Sequence, residues 1–186
     1  MAVDKTKVFS QFECDEIGFI LKDEQISETC IGSIGETMDS RTVTKSCRGV
    51  VTKSVTRGTG TGTLDISLHV KKYVADVISG MYVDGLVDGV TAYGENSIHP
   101  EFILTAHVKD EDSNVLYKAY PTCVLASKPA ITITNGAEEV AEVSMSVNVM
   151  PDSYRNGVYE CLEGDVPTGI TDWMTGFAPA KVHKSA

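Results

Sequence analysis

Glycines, histidines, cysteines and carboxylates are the side chains from which a site could be built here, and their spacing decides against most sites. The alternating run Gly58-Thr59-Gly60-Thr61-Gly62-Thr63 has the glycine density of a phosphate cradle. It lacks the Gly-Lys-Ser/Thr ending that brings a lysine to the β- and γ-phosphates, so a pliant start to a strand is the better account. Asp110, Asp112 and Asn114 fall at the first three ligand positions of a calcium loop. Val115 stands where that loop needs glycine and Pro121 where it needs a bidentate glutamate, which leaves an acidic hairpin turn. His69, His99, His107 and His183 lie far apart and make no paired metal spacing. Gly32-Ser33-Ile34-Gly35 is one residue short of a nucleophile elbow. A carboxylate pair assembled by the fold is the one catalytic arrangement left open. No motif points to an enzyme, a metal or a cofactor, and the expectation is a non-catalytic protein.

The elements that must position any surface are β-strands. Leu64, Ile66, Leu68 and Val70 alternate with Asp65, Ser67 and His69, the pattern of a strand with one dry and one wet face. The period then turns helical, with Val70, Val74, Val77, Ile78 and Met81 on one stripe, Asp76 off it, and Gly80 where a helix C-terminus favours a left-handed residue. Phe102, Leu104, Ala106 and Val108 begin a hairpin that turns over residues 110–114 and returns from Val115 to Leu125. The longest strict alternation puts Ala141, Val143, Met145, Val147 and Val149 on one face and Glu142, Ser144, Ser146 and Asn148 on the other. Residues 89–94 read as a short strand, 130–134 as another, and 22–36 as polar connecting structure. The class is mainly β: a β-sandwich or partly rolled barrel with one short flanking α-helix. Residues 1–150 form the main domain, and 151–186 a C-terminal strand or extension.

Residues 40–63 differ in kind. They hold Arg41, Lys45, Arg48, Lys53 and Arg57 and no acid, inside a chain of net charge −10. A strand, or two strands joined by a long protruding loop, is expected there. Nucleic-acid binding is disfavoured, because no aromatic residue lies between Phe19 and Tyr73 for bases to stack on. A solvated strand face and an arm docking on an acidic surface of a neighbouring copy are the two readings left. Cys14, Cys30, Cys47, Cys123 and Cys161 are odd in number and share no close spacing, which favours a reducing compartment over a disulfide framework. No apolar run approaches a membrane span, and the start, Met1 to Lys7, has no apolar signal core behind it.

Several weak motifs in a fixed order carry a resemblance. Residues 60–68 run directly into the helical Tyr73-Val74-Ala75-Asp76-Val77-Ile78. Then come Gly89 to Gly94, the Lys109 to Asn114 hairpin, Lys118-Ala119-Tyr120-Pro121, and Glu138 to Glu142. Over roughly residues 33–148 the chain resembles the major tail protein, or tail tube protein, of long-tailed, non-contractile phages of Gram-positive bacteria. The resemblance implies subunits that close into rings of six, and rings that stack into a tube through which DNA passes at ejection. It further implies self-association, contact with tail terminator, tape measure and baseplate or initiator proteins, transient passage of double-stranded DNA, and a place in the virion tail after assembly in the host cytoplasm. Asp65, Ser67, Glu142, Ser144 and Ser146 are then the lumen-facing candidates. Arg41, Lys45, Arg48, Lys53 and Arg57 become an arm to the next subunit or ring, with Glu13, Asp15 and Glu16 as its acidic partner. The alternatives are the inner tube of a contractile injection device or tailocin, and a non-catalytic carbohydrate-binding or adhesion β-sandwich.

Overall fold

A computed structural model describes residues 8–22 and 24–184. The start, residues 1–7, on which the expectation of no signal core rests, lies outside them. Nine strands form one antiparallel sheet: β1 (Glu13–Ile20), β2 (Gln25–Glu28), β3 (Ile31–Cys47), β4 (Val50–Leu68), β5 (Phe102–Lys109), β6 (Val115–Leu125), β7 (Ala130–Ile131), β8 (Val143–Met150) and β9 (Tyr159–Leu162). Their order is β2-β1-β5-β6-β8-β4-β3, with β7 added to β8 and β9 to β6. Helix α1 spans Lys72–Ile78, and two single turns, α2 (Trp173–Gly176) and α3 (Pro179–Val182), end the chain.

The sheet must roll. β2 and β3 sit at opposite ends of the strand order, yet only Thr29 and Cys30 separate them in the chain. Rolling brings Ile31, Ile34 and Met38 of β3 against a core that also holds Ile17 and Phe19 of β1 and Ile26 of β2. Leu64, Ile66 and Leu68 of β4 and Val143, Met145, Val147 and Val149 of β8 fill the same interior. The expected alternations thus give its central layer, each fully buried side chain contributing roughly 1.5–3 kcal/mol. Of the two mainly-β forms expected, the chain takes the partly rolled one, with α1 plugging the roll through Val74 and Ile78.

The outer face of β1, β5 and β6 is covered from the C-terminal side. Ile170, Trp173, Met174 and Phe177 pack on Ala119, Ile103 and Ile20. α2 comes so close that a Cβ on Gly18 would collide with the Met174 carbonyl, and Thr105 Oγ1 donates to that carbonyl at 2.8 Å. Trp173 Nε1 donates to the Lys118 carbonyl at 3.1 Å.

Some expectations fail for want of a partner. Residues 89–94 form no strand: Val90 and Tyr93 are exposed, and Ala92 makes one backbone bond, to Met81. Residues 22–36 are not connecting structure, because Ile26 and Ile31 reach the core and recruit their segments into β2 and β3. Asp76 is buried, not off the helix stripe, and Lys72 one turn earlier pairs with it.

Candidate assembly surfaces

The five lumen candidates come together on the outer face of the β3–β4–β8 ladder. Asp65 lies opposite Ser146 and Ser67 opposite Ser144, because β4 and β8 pair from Gly62↔Val149 to Leu68↔Val143. Ser67 Oγ donates to Glu142 Oε2 at 2.5 Å. Asp65, Ser67, Ser144 and Ser146 line one open depression, and Lys128 lines it as well. This lysine adds a cation to a face expected to be acidic and hydroxylated. Sequence reasoning missed it, since only folding brings the segment after β6 across β8.

The basic residues form an arm rather than a loop. β3 and β4 stay paired out to Cys47↔Val50 and close in a two-residue turn, Arg48 and Gly49, with φ of 51° and 82°. Both central φ values are positive, the geometry of a tight hairpin turn whose twist matches the strands. Arg41, Val43 and Lys45 face Arg57, Val55 and Lys53 in directly opposed pairs. One face of the arm is therefore two like-charge pairs with Val43 and Val55 between them, bordering a groove of about 370 Å³. The other face is hydroxylated, Thr42 and Thr56 sharing a 2.8 Å hydrogen bond. Residues 39–59 are exposed apart from half-buried Val55, and none of the arm cations makes an ion pair among the described residues. Like charges directly opposite each other destabilise a ladder.

The glycine–threonine run sets the root of this arm. Met38 pairs with Gly62 and Ser40 with Gly58, so Thr59, Gly60 and Thr61 stand opposite Asp39 alone. Such a bulge bends a strand and re-aims what lies beyond it. Gly60 takes φ of +78° with Pro151 and the Arg155 carbonyl beside it, and Thr61 Oγ1 donates to Asp39 Oδ2 at 2.8 Å. The run is a structural joint, in keeping with its pliant character.

Beneath the joint lies a polar cluster that the sequence did not announce. The Lys118 ammonium, its side chain 7% exposed, donates to Glu36 at 2.6 Å and approaches Glu160 at 3.1 Å. Tyr120 Oη donates to the same Glu36 oxygen at 3.0 Å. Burial works to lower the Lys118 pKa, but the two carboxylates prevail and hold it above the ordinary lysine value. Burial, and then Glu36, push the Tyr120 hydroxyl well up. Glu36 reaches across the roll from β3, so the cluster ties the arm-bearing strand to β6 and β9.

The acids expected to receive the arm are not alike. Asp15, on a bulge of β1, pairs with His107 and Lys109 of β5. Burial acts to raise its pKa, but those two hydrogen bonds outweigh it and the pKa is lowered. Glu16 accepts from Ser27. Glu13, the exposed one of the three, makes no such contact among the described residues and lines a depression with Ile31, Gly32 and Ser33 of β3. The trio is therefore one available acid and two engaged ones. His107 is a partly buried, hydrogen-bonded partner of Asp15. Asp110 accepts from the backbone of Asp112 and Asn114, which makes the acidic segment a turn held by its own first residue.

No family model and no curated protein matches the chain. Two cryo-EM structures are similar to it in fold. One is described as the tube-terminating cap of the anti-feeding prophage; it is 11% identical, covering 87% of this chain and 99% of that one, with a TM-score of 0.49. The other is described as the baseplate of the same prophage, 6-fold symmetrised; it is 6% identical, covering 78% of this chain and 91% of that one, with a TM-score of 0.45. Both are structural parts of a phage-tail-like device, and neither is described as the major tail protein of a non-contractile phage. At these identities and scores they assign no role to this chain.

Proposed function

We propose that this chain is a structural, non-catalytic subunit that assembles with copies of itself into the tube of a phage-tail-like device. The observation that carries this is the β3–β4 arm. Its outer half buries no core, opposes like charges, and extends a 17-residue strand that is paired on one side only. A lone molecule leaves that edge open, and open edges invite pairing with another chain. Rings stacked into a tube complete it. Six subunits per ring is the closure expected from the sequence resemblance. Terminator, tape measure and baseplate proteins are the expected partners, and the virion tail the expected location.

In such a tube the outer face carrying Asp65, Ser67, Glu142, Ser144 and Ser146 turns to the channel, where acids and hydroxyls let a polyanion slide. Replacing Asp65 and Glu142 together by lysine should slow DNA ejection from a working particle; unchanged ejection removes these residues from the lumen. The inner tube of a contractile device and the tube of a flexible tail share this subunit plan, and co-purification of a sheath protein distinguishes them. Negative-stain electron microscopy at rising protein concentration tests the reading itself. Rings or hollow rods are expected, and particles that stay monomeric throughout would overturn it.

A further inference from the structure

The arm has a complement at the opposite end of the molecule. β4 meets β8 at Gly62↔Val149 on the arm side and leaves it at Leu68↔Val143. β7 pairs antiparallel to the start of β8, Ile131 opposite Val143, so the segment after Ile131 runs on beyond the ladder and away from the arm. This segment, residues 132–142, turns at Gly136 with φ of +77° and forms a cup of about 440 Å³. Ile133 and Val140 are 82% and 81% exposed there, and Ile131 is 57% exposed. Glu139 lines this cup and Glu138 precedes it in the chain, both exposed and without an ion pair among the described residues.

We propose that the cup formed by residues 131–141 is the docking site for the β3–β4 arm of a second copy of this chain, which joins molecules head to tail along the β4–β8 ladder. This rests on the tube reading above and names the contact that stacks its subunits. Val43 and Val55 offer the apolar centre of one surface, and Ile133 and Val140 that of the other. The cations flanking the valines meet Glu138 and Glu139, which relieves the like-charge pairs that the lone arm carries. The two surfaces lie at opposite ends of one ladder, so the contact is heterologous and does not close on itself. It generates an open, repeating stack. Asp15 and Glu16 are already engaged within their own chain, which leaves Glu13 as the acid of that trio that competes with the cup for the arm. A polyanion is a weaker occupant for the arm, because the apolar pair at its centre has nothing to meet on a phosphate backbone.

Two charge-reversed proteins test this, Lys45→Glu/Lys53→Glu and Glu138→Lys/Glu139→Lys, each checked for the wild-type circular dichroism spectrum. Alone, each should raise the concentration needed for rods by at least about tenfold, since like charges then face each other across the contact. Mixed in equal amounts they should recover rods, because an acidic arm finds a basic cup and a basic arm an acidic one. Loss of rods in the arm variant with normal rods in the cup variant overturns the assigned docking site while leaving the tube reading intact. Normal rods in both, with loss of binding to a short DNA duplex in the arm variant, makes the arm a phosphate-binding element and also overturns the docking. Wild-type protein that never assembles overturns the tube reading and this inference together.

Discussion

Lys118 shows what a single residue holds in this fold. Its ammonium is buried, while the Glu36 and Glu160 side chains are 22% and 47% exposed, so truncation removes a buried charge and leaves two carboxylates that water can reach. Lys118→Met should cost about 1.5–3 kcal/mol, the range for losing hydrogen bonds to charged groups, and urea titration measures it. The cluster also predicts alkaline lability. The Lys118 pKa and the Tyr120 pKa are both raised in the fold from ordinary values of 10.5 and 10.0. The unfolded chain therefore loses these protons first, and stability falls as pH rises above about 10. Stability curves at pH 9 and pH 11 should differ less for Tyr120→Phe than for the parent. Asp15 works in the other direction, its lowered pKa giving stability that is present above its ordinary value of 3.8 and lost as pH falls below it. None of these pairings was legible in the sequence. Glu36 and Lys118 are 82 residues apart and meet only when the sheet rolls. The wet face of β4 was legible, because Asp65 and Ser67 alternate with leucine and isoleucine in a single short window.

At the scale of elements, legibility follows how regularly a strand alternates between the interior and its other face. β4 near Leu64, β5 and β8 announce themselves by alternation, since each sends a row of apolar side chains inward, and β6 follows as the return strand of the β5 hairpin. β2 and the first half of β3 carry only scattered apolar residues and become strands because β1 and β4 stand ready beside them. The reverse holds for residues 89–94, which have strand composition and no neighbour. The arm is the extreme case, a ladder supported by nothing but its own partner strand. Replacing residues 42–56 by Asn-Gly, which joins Arg41 to Arg57 in a tight turn, should therefore change unfolding free energy by less than about 1 kcal/mol. Assembly, measured by sedimentation velocity, should be lost in the same protein; retained assembly would remove the arm from the contact. The C-terminal cover makes a second test possible, because the chain has one tryptophan. Gly18→Val should push Met174 and α2 off the sheet, and Trp173 emission should then shift to the red while the far-ultraviolet spectrum persists.

At the scale of the whole molecule, the charge distribution suits the proposed assembly, repelling copies in general and attracting them at the one proposed contact. The chain carries net charge −10, yet Arg41, Lys45, Lys53 and Arg57 share one face of one arm. Two molecules approaching at random meet acid against acid, and only the orientation that brings the arm to an acidic surface gains on approach. Such steering acts through solvent-exposed groups and is screened over about 10 Å at 0.1 M salt, shortening to about 3 Å at 1 M. Polymerisation should accordingly slow and its threshold concentration rise by about tenfold or more between about 50 and about 500 mM sodium chloride. Light scattering at fixed protein concentration reads both. The apolar centre of the arm predicts the complementary behaviour in sulfate, which strengthens burial of valine and isoleucine while screening charge. Threshold concentrations in sodium sulfate should therefore pass through a maximum and then fall again. A threshold that does not respond to chloride would mean that the four cations stay solvated in the assembled state, and that backbone pairing at the open β3 edge holds copies together without them.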